Sequence, residues 1–133
     1  MTAVTSIDDL KRLYQRRVPR MFFDYTESGS WTEQTFQANE RHLQGLKFKQ
    51  RVLVDISDRD LASAMLGQPV TMPVALSPVG MTGLQHGDGE IKAARAAAQF
   101  GVPYALSTMS ICSIEDVASK TSKPFWFQLY VMR

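Results

Sequence analysis

Three short apolar stretches, separated by helix-like segments, dominate the second half of this 133-residue chain. They are residues 73–77, 104–107 and 125–129. Each predicts a buried strand, because it is short, apolar and bounded by turn residues. Between them, residues 87–100 form an Ala-rich helical pattern that Gly101 ends, and Ser113 with Asp116 starts a helix that runs through Lys120. Strands that alternate with helices at about 25-residue spacing predict successive βα units, so we expect an α/β fold with a parallel sheet.

The first part of the chain has apolar residues at helical spacing, and this pattern predicts three helices. Ser6 followed by Asp9 is typical of a helix start, and apolar residues at helical spacing continue to Arg17. Pro19 suits the first turn of a second helix, which Gly29 ends. The third prediction covers residues 32–43, with Thr32 as the cap. Short extended pieces follow at 46–48 and 52–55, and residues 68–71 predict a hairpin-like lead-in.

The charge indicates no particular class of partner, whereas the cysteine content excludes two kinds of site. The net charge is only +2, and the nine Lys and Arg residues before position 52 face six acidic ones. Charges spaced in this way usually form the solvated faces of helices, so we predict no nucleic-acid partner. The single Cys112 excludes a disulfide within the chain and a multi-thiolate metal site, and we interpret it as a small core residue rather than a reactive thiol.

The sequence has no sign of a secretory signal or of a membrane span. Its first residues lack a basic segment followed by an apolar one, and no later run approaches the roughly 18 apolar residues of a spanning helix. We therefore expect a cytoplasmic protein, which either stays free or associates peripherally with the inner face of the cell membrane. His42 and His86 have no Asp, Glu or Cys at metal-ligand spacing, so we assign them no role and predict no metal site.

Polar and small residues follow each predicted strand at its carboxyl end, which is the edge where ligands bind in parallel α/β sheets. Taken alone, Pro78-Val79-Gly80 also fits a simple turn, and the Ser107 hydroxyl also fits a bond to its own backbone. Gln128 and Tyr130 carry a stronger signal, because period-2 spacing points both side chains to one face of a strand. The segment at 87–90 (GDGE) lacks the third Gly of a dinucleotide loop and the Lys of a phosphate loop, so it is interpreted as a helix N-terminus with favourable acidic residues.

Five ordered motifs carry a resemblance to a known family. They are residues 72–80 (MPVALSPVG), 87–90 (GDGE), 105–110 (ALSTMS), 113–115 (SIE) and 126–130 (WFQLY). Residues 22–25 (FFDY), Gly29, Asn39 and residues 51–55 (RVLVD) match the N-terminal segment of the same family. In order and spacing, the chain resembles the FMN-dependent 2-hydroxy-acid dehydrogenases of the L-lactate dehydrogenase and glycolate oxidase type. The resemblance covers nearly the whole chain and is closest to the bacterial L-lactate dehydrogenase branch.

The resemblance implies a fold, a cofactor and a set of site residues. The fold is an FMN-binding (β/α)₈ barrel, of which residues 1–45 would be a helical cap, 46–72 lead-in strands, and 73–133 the first barrel strands and helices of a single domain. Five residues would contact the flavin: Pro78, Val79 and Gly80 through their backbone, and Ser107 and Gln128 through hydrogen bonds to the ring. Tyr25 would contact the substrate carboxylate, and Tyr130 would lie near the substrate oxygen.

The resemblance also implies what this chain lacks. In the family, a His base and an Arg that binds the carboxylate are carried by later strands, so we expect no catalytic residue within these residues. A complete barrel needs about 250 residues, so this chain would be a truncated portion that is inactive by itself. The full-length protein would be a homo-oligomer, a tetramer, that oxidises a small 2-hydroxy acid.

Four functions stay open. Glycolate oxidase-like members tend to have Thr and Ala within the stretch that is Pro78-Val79-Gly80 here, and an aromatic residue at the position of Met109. Both differences favour an L-lactate dehydrogenase with a quinone acceptor. The first alternative is a 2-hydroxy-acid oxidase that uses oxygen. The others are an FMN barrel with another substrate, such as an isomerase, and a non-catalytic flavin-site fragment.

Overall fold

The computed structural model describes residues 4–132, so the outermost residues of the predicted cap and of the predicted barrel segment, 1–3 and 133, lie outside it. The chain divides into two compact units, Met1–Asp58 and Arg59–Arg133.

The first unit contains three helices, α1 (Ile7–Arg17), α2 (Arg20–Glu27) and α3 (Gln34–Gly45). The Ser6 side chain caps α1 by accepting the backbone N–H of Asp9, as the sequence predicts. The Tyr14 hydroxyl lies 3.1 Å from the backbone oxygen of Phe22, and its ring lies 5.3 Å from the ring of Phe23, so α1 packs on α2. None of the three helices has a fully buried residue.

Two predictions for this unit are wrong in detail. The third helix begins at Gln34, after Glu33 in the left-handed conformation, instead of being capped by Thr32. Residues 46–48 and 52–55 form no strand and are exposed. A β-like composition does not stabilise an extended segment that pairs with no other strand. Water then forms the hydrogen bonds of its backbone as well as a strand partner would.

The second unit opens with a hairpin of β1 (Ser63–Met65) and β2 (Gln68–Val70), which confirms the predicted lead-in at 68–71. Its two turn residues, Leu66 and Gly67, both have positive φ, the conformation that tight hairpin turns require. The Thr71 backbone N–H then donates to the Gly101 oxygen at 3.0 Å, which joins the hairpin to the end of the next long helix.

The rest of this unit is α/β, with elements α4 (Thr82–Gln85), α5 (Gly89–Phe100), β3 (Ala105–Ser107), α6 (Ile114–Lys120) and β4 (Trp126–Gln128). Strands β3 and β4 pair in parallel and α6 connects them, so the predicted βαβ unit is confirmed. The core lies between α5, α6 and β3, and it is formed by Ile91, Ala94, Ala97, Tyr104, Leu106 and Val117. Small Ala residues on α5 allow this helix to approach the sheet closely.

The strand predicted at residues 73–77 (the Leu76 segment) forms only in part. Leu76 makes a single parallel bridge to Tyr104 and is 39% exposed, so the prediction of a buried strand is wrong in extent. Among the described residues the segment has a partner on one side only, and a strand at an open edge loses regularity readily. The short helix α4 was not predicted.

Within the part of the chain that the structure describes, every helix is too short or too polar to cross a membrane.

Candidate cofactor site

The carboxyl ends of three parallel segments meet at one edge of the second unit. The Ala105 N–H donates to the Leu76 oxygen at 3.0 Å, and the Trp126 N–H donates to the Tyr104 oxygen at 2.8 Å. The order across the sheet is therefore Leu76 segment, β3, β4. Because the three segments are parallel, the residues that follow them gather at the same edge.

Ser107 and Gln128 are register partners at the ends of β3 and β4. Register partners in a parallel pair present their side chains to the same face. Ser107 is 1% exposed, and its Oγ accepts the Met109 N–H at 3.1 Å, which leaves the hydroxyl proton to donate elsewhere. Gln128 is half-buried, and its amide offers both a donor and an acceptor.

The loop with Pro78, Val79 and Gly80 joins the same edge through the residue that follows it. The Met81 N–H donates to the Met109 oxygen at 2.8 Å. The backbone oxygen of Val79 accepts the Thr82 hydroxyl at 3.0 Å, which fixes the loop against the start of α4. The structure thus pairs Ser107 with Gln128 and joins the end of the loop 78–80 to the loop that follows β3.

Tyr130 is placed by a side chain rather than by the sheet, since β4 ends at Gln128. The Tyr130 N–H donates to the Thr108 Oγ1 at 3.0 Å, and that hydroxyl in turn donates to the backbone oxygen of Gln128. Thr108 therefore links the loop after β3 to the end of β4. Tyr25, the other predicted substrate residue, belongs to the first unit, where it lies on α2 and is 52% exposed.

Glu90 is the residue of this region that the sequence interpretation missed. It is 0% exposed, and its Oε1 accepts two backbone N–H groups, from Gly83 at 2.9 Å and from Ile111 at 3.0 Å. Its Oε2 is buried without a conventional hydrogen-bond partner, and the Cys112 thiol is the weak donor that interacts with the carboxyl group. The spacing from Glu90 to Ala94 and Ala97, which puts all three on one helix face, was a usable signal of burial.

The environment of Glu90 keeps it ionised. Burial by itself raises the pKa of Glu90, but the N–H groups of Ile111 and Gly83 stabilise the carboxylate more, so its pKa lies below the ordinary value. Burial, assisted by the Glu90 charge, raises the pKa of Tyr104 to about 12. Burial and the hydrogen bond to Glu90 raise the pKa of the Cys112 thiol, so this half-buried cysteine is poorly suited to act as a nucleophile.

Other chemistry-bearing side chains are dispersed. No group of three or more His, Cys, Asp or Glu residues able to hold a metal ion occurs among residues 4–132. The Nδ1 of His86 lies 3.1 Å from the Lys92 Nζ and 2.9 Å from the Gly87 oxygen, at the surface before α5. The edge that holds Ser107 and Gln128 is therefore the best candidate for a ligand site in this unit.

Comparison with known sequences gives a consistent match over most of the chain. The family described as FMN-dependent dehydrogenase matches residues 14–133. The L-lactate dehydrogenase of Xanthobacter autotrophicus is 44% identical over 130 residues, which make up 98% of this chain and 34% of that enzyme. This chain therefore spans about a third of the length of the curated relative.

Solved structures of similar enzymes have the same fold over almost all of this chain. A soluble mutant of the membrane-associated (S)-mandelate dehydrogenase from Pseudomonas putida superposes with a TM-score of 0.90 and 38% identity, over 98% of this chain and 38% of that one. A mandelate oxidase superposes with a TM-score of 0.86 and 36% identity, over 96% of this chain and 37% of that one.

Proposed function

Because this chain belongs to the FMN-dependent dehydrogenase family, we propose that it is the first third of an enzyme that oxidises an L-2-hydroxy acid. In this proposal, residues 1–45 are a helical cap, 46–72 a lead-in segment that ends in the hairpin of β1 and β2, and 73–133 the first part of a truncated (β/α)₈ barrel. The single observation that carries it is the pairing of Ser107 with Gln128, beside the loop of Gly80, at the carboxyl edge of parallel strands.

The donor set at this edge fits a flavin ring. Ser107 has a buried hydroxyl whose proton is available, and Gln128 has an amide that can pair with a ring edge bearing both a donor and an acceptor. We assign these two side chains to the flavin ring. The backbone of Pro78, Val79 and Gly80 lines its reactive edge, where Gly permits close approach. When bound, FMN supplies the electron sink that takes up the Cα hydrogen of the substrate as a hydride equivalent.

Two tyrosines are assigned to the substrate. Tyr130 presents its phenol to the substrate oxygen, where a hydrogen bond stabilises charge that develops during oxidation. Its backbone is held in place by Thr108, which supports a fixed position for the ring. Tyr25 binds the substrate carboxylate from the cap. The catalytic His base and the Arg that binds the carboxylate are assigned to the part of the enzyme that follows this chain.

L-lactate is the proposed substrate and pyruvate the product, because the similar enzyme of Xanthobacter autotrophicus is named for L-lactate. A quinone is the proposed electron acceptor. For the location we propose the cytoplasm or the inner face of the membrane, and the (S)-mandelate dehydrogenase neighbour, described as membrane-associated, supports the second. Oxygen is the alternative acceptor, because a mandelate oxidase has the same fold. A homo-tetramer is the proposed assembly of the full-length enzyme.

The test is anaerobic mixing of the FMN-loaded, full-length protein with L-lactate, glycolate or (S)-mandelate, while flavin absorbance is followed. We expect fastest bleaching with L-lactate, and reoxidation faster with a soluble quinone than with oxygen. Bleaching by none of the three acids would overturn the proposed function. Rapid peroxide production with L-lactate in air would show that the enzyme uses oxygen as its acceptor and is an oxidase rather than a dehydrogenase.

A further inference from the structure

Glu90 is a buried carboxylate that forms no ion pair with any cation of residues 4–132. It lies in the first turn of α5 and is 0% exposed. The ion pairs between described residues involve other side chains, all in the first unit. An isolated buried charge is costly, so its presence requires compensating hydrogen bonds.

The compensating bonds come from two segments that are far apart in the chain. Both the Gly83 N–H, in α4, and the Ile111 N–H, after β3, donate to the same oxygen, Oε1. Bonds from N–H groups to an ionised acceptor are among the stronger hydrogen bonds in proteins. One side chain thereby ties the loop that follows the Leu76 segment to the loop that follows β3.

The packing around this tie leaves no spare room. A Cβ on Gly83 would lie 2.7 Å from the Ile111 Cβ and 2.9 Å from the Glu90 Oε2. A Cβ on Gly89 would lie 2.7 Å from the backbone oxygen of Thr82. The two glycines allow α4 to approach both the start of α5 and the Ile111 loop.

From this arrangement we propose that Glu90 is a positioning residue, which sets the distance between the first two loops of the flavin site. The inference rests on the proposed function. Gly83 follows the loop of Pro78, Val79 and Gly80, and Ile111 ends the loop that Ser107 begins. The Met81 N–H also joins these loops, through a single backbone hydrogen bond to the Met109 oxygen. Loss of the carboxylate therefore loosens the flavin edge without removing any group that touches the flavin.

The test compares Glu90→Gln with Glu115→Gln in the full-length, FMN-loaded protein. Glu115 also lies in the first turn of a helix but is exposed. The control therefore removes an equal charge without disturbing a buried contact. Glu90→Gln keeps the acceptor oxygen and the shape of the side chain, but it loses the charge. Three quantities are measured: the FMN dissociation constant, the visible circular dichroism of the bound flavin, and hydrogen exchange at the Gly83 and Ile111 amides.

We expect Glu90→Gln to raise the FMN dissociation constant about tenfold, to change the flavin dichroism, and to speed exchange at both amides about tenfold. Glu115→Gln should match the wild type in all three. A Glu90→Gln protein whose FMN affinity lies within about twofold of wild type, with the same dichroism, overturns the proposal.

Two further results are decisive. If Glu90→Gln does not fold, Gly83→Ala separates the same loops while the carboxylate remains, and unchanged FMN affinity and dichroism in that variant overturn the proposal. If the wild-type protein does not bind FMN, the proposed function fails and the role of Glu90 toward the flavin fails with it. The exchange of the two amides then still decides whether Glu90 ties the loops.

Discussion

Ser107 and Gln128 stand side by side at the ends of β3 and β4, although 20 residues separate them in the chain. The parallel register gives their side chains a common face, and Ser107 is almost fully enclosed. A hydroxyl and a carboxamide held together at the carboxyl edge of a sheet form a neutral hydrogen-bonding pair. Such a pair suits an uncharged heteroaromatic ring better than a metal or a phosphate.

Replacement of Gln128 by Ala should weaken FMN binding. Loss of a donor and an acceptor to the ring removes about 1 kcal/mol for each hydrogen bond, which corresponds to a dissociation constant raised about tenfold to thirtyfold. Titration of FMN fluorescence on the full-length apoprotein measures this. Gln99→Ala, at an exposed position of α5, is the matched control. If the Gln128 and Gln99 variants bind FMN with equal affinity, Gln128 does not contact the flavin.

Thr108→Val should lower kcat/KM for L-lactate more than it lowers FMN affinity. Valine has the shape of threonine but leaves the Tyr130 N–H and the Gln128 oxygen without their hydroxyl partner, at a cost of about 1–3 kcal/mol. Since Tyr130 is assigned to the substrate, we expect kcat/KM to fall about tenfold, as measured in steady state. Thr108→Ser retains the hydroxyl and should restore most of the activity, and a serine variant as impaired as the valine variant would contradict the role of the hydroxyl.

Local sequence signals predicted the elements whose cause is itself local. The Ser6 and Ser113 caps, the Gly101 end of α5 and the hairpin before Thr71 are all observed. Position in the chain also predicted the common edge, because parallel strands bring their carboxyl ends together. The direct pairing of Ser107 with Gln128 comes from the register of β3 and β4, which the structure shows and the sequence did not specify.

The features that the sequence did not predict share one physical origin, because each of them depends on tertiary contacts. Residues 52–55 have a strand-like composition, but strand formation needs a partner that composition does not reveal. Glu90 has the sequence signature of a helix N-terminal acid, yet its role comes from Gly83 and Ile111, which lie 7 and 21 residues away. Only the loop geometry after two different strands brings those N–H groups to one oxygen.

Gly101→Ala should destabilise the protein strongly. Gly101 has φ +85°, and an added Cβ would lie 2.5 Å from the Thr71 Cγ2. The left-handed conformation costs a residue with a Cβ about 1–2 kcal/mol, and the displaced Thr71 adds to it, so we expect a loss of about 2–4 kcal/mol in the free energy of unfolding. Urea denaturation measures it. Gly45→Ala, where no atom lies within 4 Å of the new Cβ, should change stability little, and equal losses in the two variants would contradict the packing explanation.

Glu90 should make stability depend on pH below its ordinary pKa of 4.5. Its pKa is lowered in the folded state, so the unfolded state binds its proton first as the pH falls. The stabilisation by the carboxylate is therefore complete above about pH 5 and decreases as the pH falls through the folded-state pKa. The groups that face it, Cys112 and Tyr104, have raised pKa values and stay neutral in this range.

The measurement for this prediction is the difference in the free energy of unfolding between wild type and Glu90→Gln, from urea denaturation at several pH values. The difference should be largest near pH 6 and should shrink toward pH 3. A difference that stays constant across this range would show that the Glu90 charge contributes nothing, and that shape alone accounts for the effect of the substitution.

Residues 1–133 expressed alone should self-associate and should not quench FMN fluorescence. Among the described residues, β4 pairs on one side only, and the chain after it exposes Leu129, Val131 and Met132 to 68%, 85% and 71%. An unpaired parallel edge beside an exposed apolar strip is a template for association with other chains, because burial of that strip lowers the free energy by about 25 cal/mol per Å². Gln128 lies at the end of this unpaired strand, so association through β4 competes with flavin binding. Light scattering after size exclusion, with the full-length protein as control, measures the mass. A monomer that unfolds cooperatively and quenches FMN fluorescence would show that this portion folds and forms its share of the site without the rest of the barrel.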